Sequence, residues 1–215
     1  GELGPPPEEN RRSNLRAELT SFVGKQAALA AVSKLVAEHR LVTVIGPGGS
    51  GKTRLATEAA RTLLDQLPDG VWFVELAAIG ADGDVAQATL TALRLRDALL
   101  GGPPNAELTD RLIAAVRDRE VLLILDNCEH VIESAASFAD RLLGECRRLR
   151  ILATSREPLG ITGEALWQVA PLAVPDADAG PAEITSSPAV ALLLDRAGAL
   201  RTDLVVDAAT LSTMA

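Results

Sequence analysis

The sequence predicts an α/β fold built on a five-stranded, mainly parallel sheet, and three observations carry that prediction. Short apolar runs recur at 41–46 (LVTVIG), 71–76 (VWFVEL), 121–125 (VLLIL), 150–154 (RILAT) and, more weakly, 165–170 (ALWQVA). Stretches of helical periodicity separate them, the sequence form of strands joined by crossover helices. All but the last of these runs are apolar enough for burial on both faces, as the strands of a parallel sheet require.

Composition bounds the class. At 215 residues, 47% hydrophobic and 23% charged, the chain can bury one sizeable core with a small appendage. The 21 Lys and Arg against 29 Asp and Glu give a net charge of -8 and a pI near 4.9, so no broad basic field attracts nucleic acid. Direct DNA binding by this segment is not expected. Cys128 and Cys146 form neither a CxxC pair nor a disulfide framework; both read as buried apolar side chains in a reducing cytoplasm. No apolar run approaches the roughly 20 residues of a membrane span, and no signal peptide is visible, so no membrane partner is expected.

The elements follow in order. Residues 1–14, GELGPPPEENRRSN, are Pro-, Gly- and charge-rich and read as a flexible linker or a cloning remnant. The main domain runs from 15 to 185. After the first strand, Leu55, Ala59 and Leu63 with Ala56, Ala60 and Leu64 make a helical stripe. Val131, Ala135, Phe138, Ala139, Leu142 and Leu143 do the same after the third. Between 77 and 107 a short helix is expected around Val85 to Leu93, then a Gly-Pro loop at 101–104. Ser187 as N-cap and Pro188 at the first helical position start a further helix, so residues 186–215 read as the truncated start of a helical domain. Trp72, Phe73 and Trp167 read as packing residues.

The first strand breaks into GPGGSGKT. Gly46-x-x-x-x-Gly51-Lys52-Thr53 fits the phosphate-binding loop, and the residue types explain why. Glycines at 46, 48, 49 and 51 let backbone N–H groups wrap an anion, with Pro47 and Ser50 completing the loop. A helix starting near Lys52 adds its unpaired N–H groups and dipole. Lys52 brings a point charge to the β- and γ-phosphate oxygens, and the Thr53 hydroxyl ligates Mg²⁺. The bland reading is a Gly-rich turn; the strand before it and the amphipathic helix after it favour nucleotide.

VLLILDNCEH ends an apolar strand on Asp126, whose carboxylate can hold a magnesium-bound water beside Thr53. The VWFVEL strand lies between these two in sequence, which suggests the spatial order 5-1-4-3-2. In that order the RILAT strand flanks the loop strand, and its carboxyl end brings Thr154, Ser155 and Arg156 toward the γ-phosphate. Arg156 is read as a γ-phosphate sensor rather than a surface arginine capping the next turn. Cys128 and His130 beside Glu129 invite a metal reading, but with only His39 elsewhere they read as strand-end packing.

The run from NLRAELTSFVGK through GPGGSGKTRLA, PDGVWFVEL, LLILDNCEHV and ILATSREPLG resembles the STAND class of signal-transduction ATPases. More narrowly, it resembles the NB-ARC-like module of bacterial antibiotic-pathway transcriptional activators (SARP and large LuxR-type regulators), from about residue 14 to about residue 205. The resemblance implies a switch that binds ATP or ADP with Mg²⁺, in which exchange between the ADP and ATP states governs assembly and activation. It implies other domains of a full-length regulator as partners, and a homo-oligomer in the ATP state. Phe22, Val23 and Gly24 match the adenine-side motif, with Lys25 where arginine is expected. Arg54 follows the matching loop. Asp126 matches the Mg²⁺ acid and Arg156 the sensor. Residues 186–215 would begin the helical lid, and Pro171 and Leu172 would wall the base.

Many related ATPases carry a glutamate directly after the magnesium acid, where this chain has Asn127. An amide cannot accept the proton of the attacking water, so slow hydrolysis is expected, with Glu129 as a possible substitute. A P-loop kinase and a non-hydrolysing interaction scaffold are the rival readings.

Overall fold

The computed structural model describes residues 12–17, 25–80, 83–95, 97–98 and 106–170. The chain divides into two units, residues 1–15 with 29–169, and residues 16–28 with 170–215. The first holds the sheet and its packed helices. Of the second, the described residues are 16–17, 25–28 and Ala170, and its residues 26–28 begin α1.

The elements run α1 (Gln26–Glu38), β1 (Leu41–Ile45), α2 (Lys52–Arg61), β2 (Val71–Glu75), α3 (Val85–Ala92), α4 (Leu108–Val116), β3 (Leu122–Asp126), α5 (Ile132–Glu145), β4 (Arg150–Ser155) and β5 (Glu164–Gln168). Short 3-10 turns occupy Leu64–Gln66, Leu76–Ala78 and Cys128–His130. The strands form one five-stranded sheet in the order β2-β3-β4-β1-β5, with every pair parallel. This is the expected order 5-1-4-3-2 read from the other edge.

The apolar runs explain the middle of the sheet. β1 and β3 are buried at every position, and β4 at every position after Arg150. Side chains alternate between faces. Leu123, Leu125, Ile151 and Ala153 join one core with Leu90 of α3, Leu112 and Ile113 of α4, and Phe138 and Leu142 of α5. On the strands' alternate positions, Leu122, Ile124 and Leu152 are equally buried, and α2 packs on the sheet through Leu55, Ala56, Ala59 and Ala60. Cutting Leu123 or Leu125 to alanine costs about 2–5 kcal/mol, the usual range for a large-to-small change in a close-packed core.

Local chemistry sets the ends. α3 begins where Asp84 accepts from the N–H groups of Ala86 at 2.8 Å and Gln87 at 3.1 Å. The α2 stripe was expected to run to Leu64, but the helix stops at Arg61 and a 3-10 turn takes over; the Thr62 hydroxyl donates to the Ala59 carbonyl there, at 2.7 Å. Two arginines cap helices reciprocally. Arg40 donates to the carbonyls of Leu143 and Cys146 at the end of α5 and of Leu149 just before β4, and Arg150 to those of Val36 and Ala37 in α1. The weakly apolar β5 is held by Glu164, whose carboxylate accepts from Thr43 on β1 and from the N–H groups of Leu159 and Gly160.

Residues 12–14, assigned to the linker on composition, lie along the β2 edge. Val71 donates to the Arg12 carbonyl at 2.9 Å, Ser13 bridges Val71, and Asn14 both accepts from Phe73 N at 2.6 Å and donates to Phe73 O at 2.8 Å. An edge strand leaves N–H and C=O groups unpaired, and this segment satisfies them. Gly70, at φ 85°, lets it pass: a Cβ there would stand 1.8 Å from the Arg12 oxygen. Among the described residues, no helix is long and apolar enough to cross a membrane.

Candidate functional site

Parallel order puts the carboxyl ends of β1, β3 and β4 side by side, and the candidate site is built on those three ends. β1 gives way to the loop at Gly46, whose N–H donates to the Ser155 carbonyl at the end of β4, at 3.2 Å. Pro47, Gly48 and Gly49 are exposed and Ser50 is buried. Gly51 sits at the N-cap of α2 with φ 84° and ψ 20°, a left-handed conformation that costs a residue with a Cβ about 1–2 kcal/mol. The loop's N–H groups at Gly48, Gly49, Gly51, Lys52 and Thr53 donate to no backbone carbonyl among the described residues. Together with the α2 dipole they make a cradle that fits a phosphate chain.

Lys52 is buried to 6% exposure, and its Nζ arches back to the Pro47 carbonyl at 2.8 Å. A lysine this buried, anchored to its own loop, holds positive charge at the mouth of the cradle. Thr53, one residue on, donates through Oγ1 to Asp126 Oδ1 at 2.7 Å. Asp126 is 3% exposed and accepts two further bonds, from Thr154 Oγ1 at 2.6 Å and from Asn127 Nδ2 at 3.1 Å. Burial raises its carboxyl above the ordinary aspartate range; the Thr154 and Thr53 hydroxyls pull it back down, while the Glu129 and Glu75 charges add to the rise. Oxygen ligands this close suit a hard divalent cation, and Thr53 with Asp126 would hold Mg²⁺ against bound phosphates.

Arg156 leaves the end of β4, 64% exposed, with its Nε 3.7 Å from Glu129 Oε1. A guanidinium nitrogen comes within 3.1 Å of where a Cβ on Gly48 would stand, so the arginine lies over the loop. Arg54 pairs with Glu58 one turn along α2, at 3.6 Å. The structure thus gathers Gly46 to Thr53, Asp126 and Arg156. Phe22, Val23 and Gly24, as well as Pro171 and Leu172, lie outside the described residues, as do the 101–104 loop and residues 186–215.

Sequence reasoning brought Thr154 toward the γ-phosphate but gave it no bonding role. Its hydroxyl donates to Asp126 and accepts from Asn127 N at 3.0 Å, so it ties the ends of β3 and β4 together. The signal was a Thr-Ser pair closing an otherwise apolar strand beside both the loop strand and the Asp126 strand. Asn127 has φ 60° and ψ 49°, a left-handed turn that asparagine tolerates better than most residues, and its amide is occupied by Asp126. Cys128 and Cys146 are buried free thiols, as expected, and burial pushes both up. His130 is exposed while Cys128 points into the core, so the two share no site. A cleft of about 340 Å³ lined by Arg40, Arg147, Arg148 and Arg150 lies at the opposite, amino ends of the strands and takes no part in this cluster.

A model of the AAA domain family matches residues 36–162, the span that carries the loop, Asp126 and Arg156. The chain belongs to the AAA domain family. This AAA domain is 37% identical over 199 residues to an uncharacterized protein of Mycobacterium tuberculosis, Rv0894, covering 93% of this chain and 47% of that protein. It is 43% identical over 142 residues to a second M. tuberculosis protein, Rv0890c, which is named for an HTH-type transcriptional regulator; that match covers 66% of this chain and 15% of the other. The AAA domain therefore spans less than half the length of these relatives. Among solved structures it is similar to a STAND protein with a tetratricopeptide repeat sensor from Pyrococcus horikoshii (TM-score 0.55, 16% identity, 97% of this chain and 29% of that one). It is also similar to Cdc6p from Pyrobaculum aerophilum (TM-score 0.58, 16% identity, 90% and 56%). Both likenesses concern the fold.

Proposed function

We propose that this AAA P-loop domain is an ATP/ADP-binding switch of a larger transcriptional regulator, hydrolysing ATP slowly. The observation that carries this reading is the Lys52–Thr53–Asp126–Thr154 cluster beneath an open cradle of backbone N–H groups. In this reading Gly46 to Thr53 bind the phosphates, and Thr53 and Asp126 hold Mg²⁺, which supplies charge neutralisation for the transferring phosphoryl group. Arg156 reads the γ-phosphate from its position over Gly48. Phe22, Val23, Gly24, Pro171 and Leu172 are assigned to the base on the sequence resemblance alone, and Arg54 follows the loop. Residues 15–185 form the nucleotide-binding domain and 186–215 begin a helical lid, after a linker in the first residues.

The regulatory part of the reading draws on the named regulator Rv0890c and on the STAND-like fold. In it, the narrower NB-ARC-like, antibiotic-pathway assignment rests on the sequence resemblance alone. The protein acts in the cytoplasm, its partners are the other domains of its own regulator and, in the ATP state, further copies of itself, and DNA contact belongs to another domain. An amide at Asn127 instead of a base favours long-lived nucleotide states, which suit a switch.

The test is to denature freshly purified protein and identify the released nucleotide by ion-pair chromatography, with Lys52→Ala as control. ADP or ATP near one equivalent, absent from the variant, supports the switch. Bound nucleotide that never turns over in the full-length regulator favours a non-hydrolysing scaffold, and phosphoryl transfer to a small acceptor favours a kinase.

A further inference from the structure

The residue that follows the magnesium acid is not the one in position to take a proton. Asn127 spends its amide on Asp126 and its N–H on Thr154, and an amide is no base. Its left-handed turn, followed by the 3-10 turn Cys128–His130, sends alternate side chains different ways: Cys128 into the core, His130 to solvent, and Glu129 back toward the strand ends.

There the Glu129 side chain is only 12% exposed. Its Oε1 faces Arg156 Nε at 3.7 Å, and its Oε2 is shut off from solvent with no hydrogen-bond partner among the described residues. An orphaned carboxylate oxygen in native structure calls for a reason, and catalysis is one such reason. Two groups bracket this carboxylate. Asp126 is close enough to feel its charge. Arg156 pairs with it, and the same guanidinium reaches over Gly48 of the phosphate loop. Glu129 therefore stands between the metal-binding acid and the arginine that covers the cradle, where a water attacking the terminal phosphate would need a proton acceptor.

We infer that Glu129 is the proton acceptor for ATP hydrolysis in this domain, and that its ion pair with Arg156 holds it in reserve until a γ-phosphate draws the arginine away. The inference rests on the nucleotide reading above. In the step, a water oxygen bonds to the γ-phosphorus while its proton passes to the Glu129 carboxylate. The bond from that phosphorus to the β–γ bridging oxygen breaks, and its electron pair leaves with ADP. Glu129 then gives the proton to solvent. An arginine shared between a carboxylate and a phosphate also distinguishes nucleotides, because only the triphosphate offers the charge that outcompetes Glu129.

Glu129→Gln keeps size and hydrogen bonding but cannot take the proton. Wild type, Glu129→Gln and Arg156→Ala would be compared by equilibrium titration with Mg·ATP and Mg·ADP, and by single-turnover hydrolysis of radiolabelled ATP. Glu129→Gln is expected to bind Mg·ATP within about threefold of wild type while hydrolysis falls by about 10²-fold or more, in the range general-base catalysis supplies. Nucleotide recovered from that variant after incubation with ATP is expected to be ATP, where wild type yields ADP. Arg156→Ala is expected to bind ATP and ADP alike. Wild-type turnover in Glu129→Gln, or loss of its ATP binding, overturns the inference while leaving nucleotide binding by wild type intact. A wild type that binds neither nucleotide overturns the nucleotide reading itself, and the inference with it.

Discussion

The Thr53 hydroxyl donates to Asp126 Oδ1 at 2.7 Å, joining residues 73 apart in sequence. One lies in the first turn of α2 and the other ends β3, so the bond exists only because the sheet order brings β1 and β3 to either side of β4. The proposed Mg²⁺ site reuses this pair of oxygens.

Thr53→Ala removes one of three donors to Asp126, and Thr53→Ser keeps it. The nucleotide-free alanine variant is expected to lose about 0.5–1.5 kcal/mol in a denaturant titration, the net worth of one hydrogen bond. Its Mg²⁺-dependent nucleotide affinity is expected to fall about 10- to 100-fold, with the serine variant close to wild type. Equal affinity in the alanine variant would take Thr53 out of the metal site.

Asp126 gives a pH signature. Burial raises its pKa above the unfolded value, despite the Thr154 and Thr53 bonds. The folded chain then binds this proton more tightly than the unfolded chain does. The stability linked to it is fully present below the ordinary aspartate pKa, near 3.9, and is lost as pH rises through the raised folded value. Asp126→Asn cannot ionise and escapes that loss. Without nucleotide, the variant is expected to melt above wild type at pH 7, with the gap closing as pH falls below about 4. Thermal melts over a pH series check this; a variant melting below wild type at pH 7 contradicts it.

Much of this was legible in the sequence for a physical reason. β1, β3 and β4 are buried on both faces, so their apolar runs are uninterrupted, and the loop glycines stand out where neither a strand nor a helix favours them. α1 was not legible: it is alanine-rich and buries only Val32 and Val36, too little to stamp a period on the sequence. The role of Arg12 to Asn14 was hidden because backbone pairing to an edge strand leaves no compositional trace. Thr154 was placed at the site end of its strand, but its bonds to Asp126 and Asn127 depend on neighbours across the sheet that sequence does not show. The direction of Glu129 depends on the positive φ of Asn127, which is a property of the folded turn.

The β2 edge offers a stability test. Asn14 closes two bonds with the Phe73 backbone, and Asn14→Ala opens both. The loss is expected to be about 1–3 kcal/mol in a denaturant melt. A newly exposed strand edge should also increase aggregation, read by light scattering. An unchanged midpoint would mean that residues 12–14 add nothing to the sheet.

Gly48→Ala separates loop geometry from fold stability. The added methyl would meet Arg156 at 3.1 Å, and that exposed side chain can move aside. Stability is expected to stay within about 0.5 kcal/mol of wild type. The ratio of ATP to ADP affinity is expected to fall, because the displaced arginine no longer reads the γ-phosphate. An unchanged ratio would argue against Arg156 as the sensor.

Buried thiols make a simple control. Cys128 and Cys146 are fully enclosed, and burial holds both in the unreactive thiol form. A thiol reagent at pH 8 is expected to label neither in the native protein and both in denaturant. Rapid native labelling of Cys128 would mean that the turn after Asp126 opens, and with it the candidate site.

The most direct measurement is calorimetric titration of the protein with ADP and ATP, with and without Mg²⁺, beside Lys52→Ala. Saturable binding near one equivalent, weakened by chelating Mg²⁺ and abolished in the lysine variant, is the predicted result. No binding of either nucleotide in wild type, or equal binding in Lys52→Ala, would contradict the claim that residues 46 to 53 hold a nucleotide's phosphates.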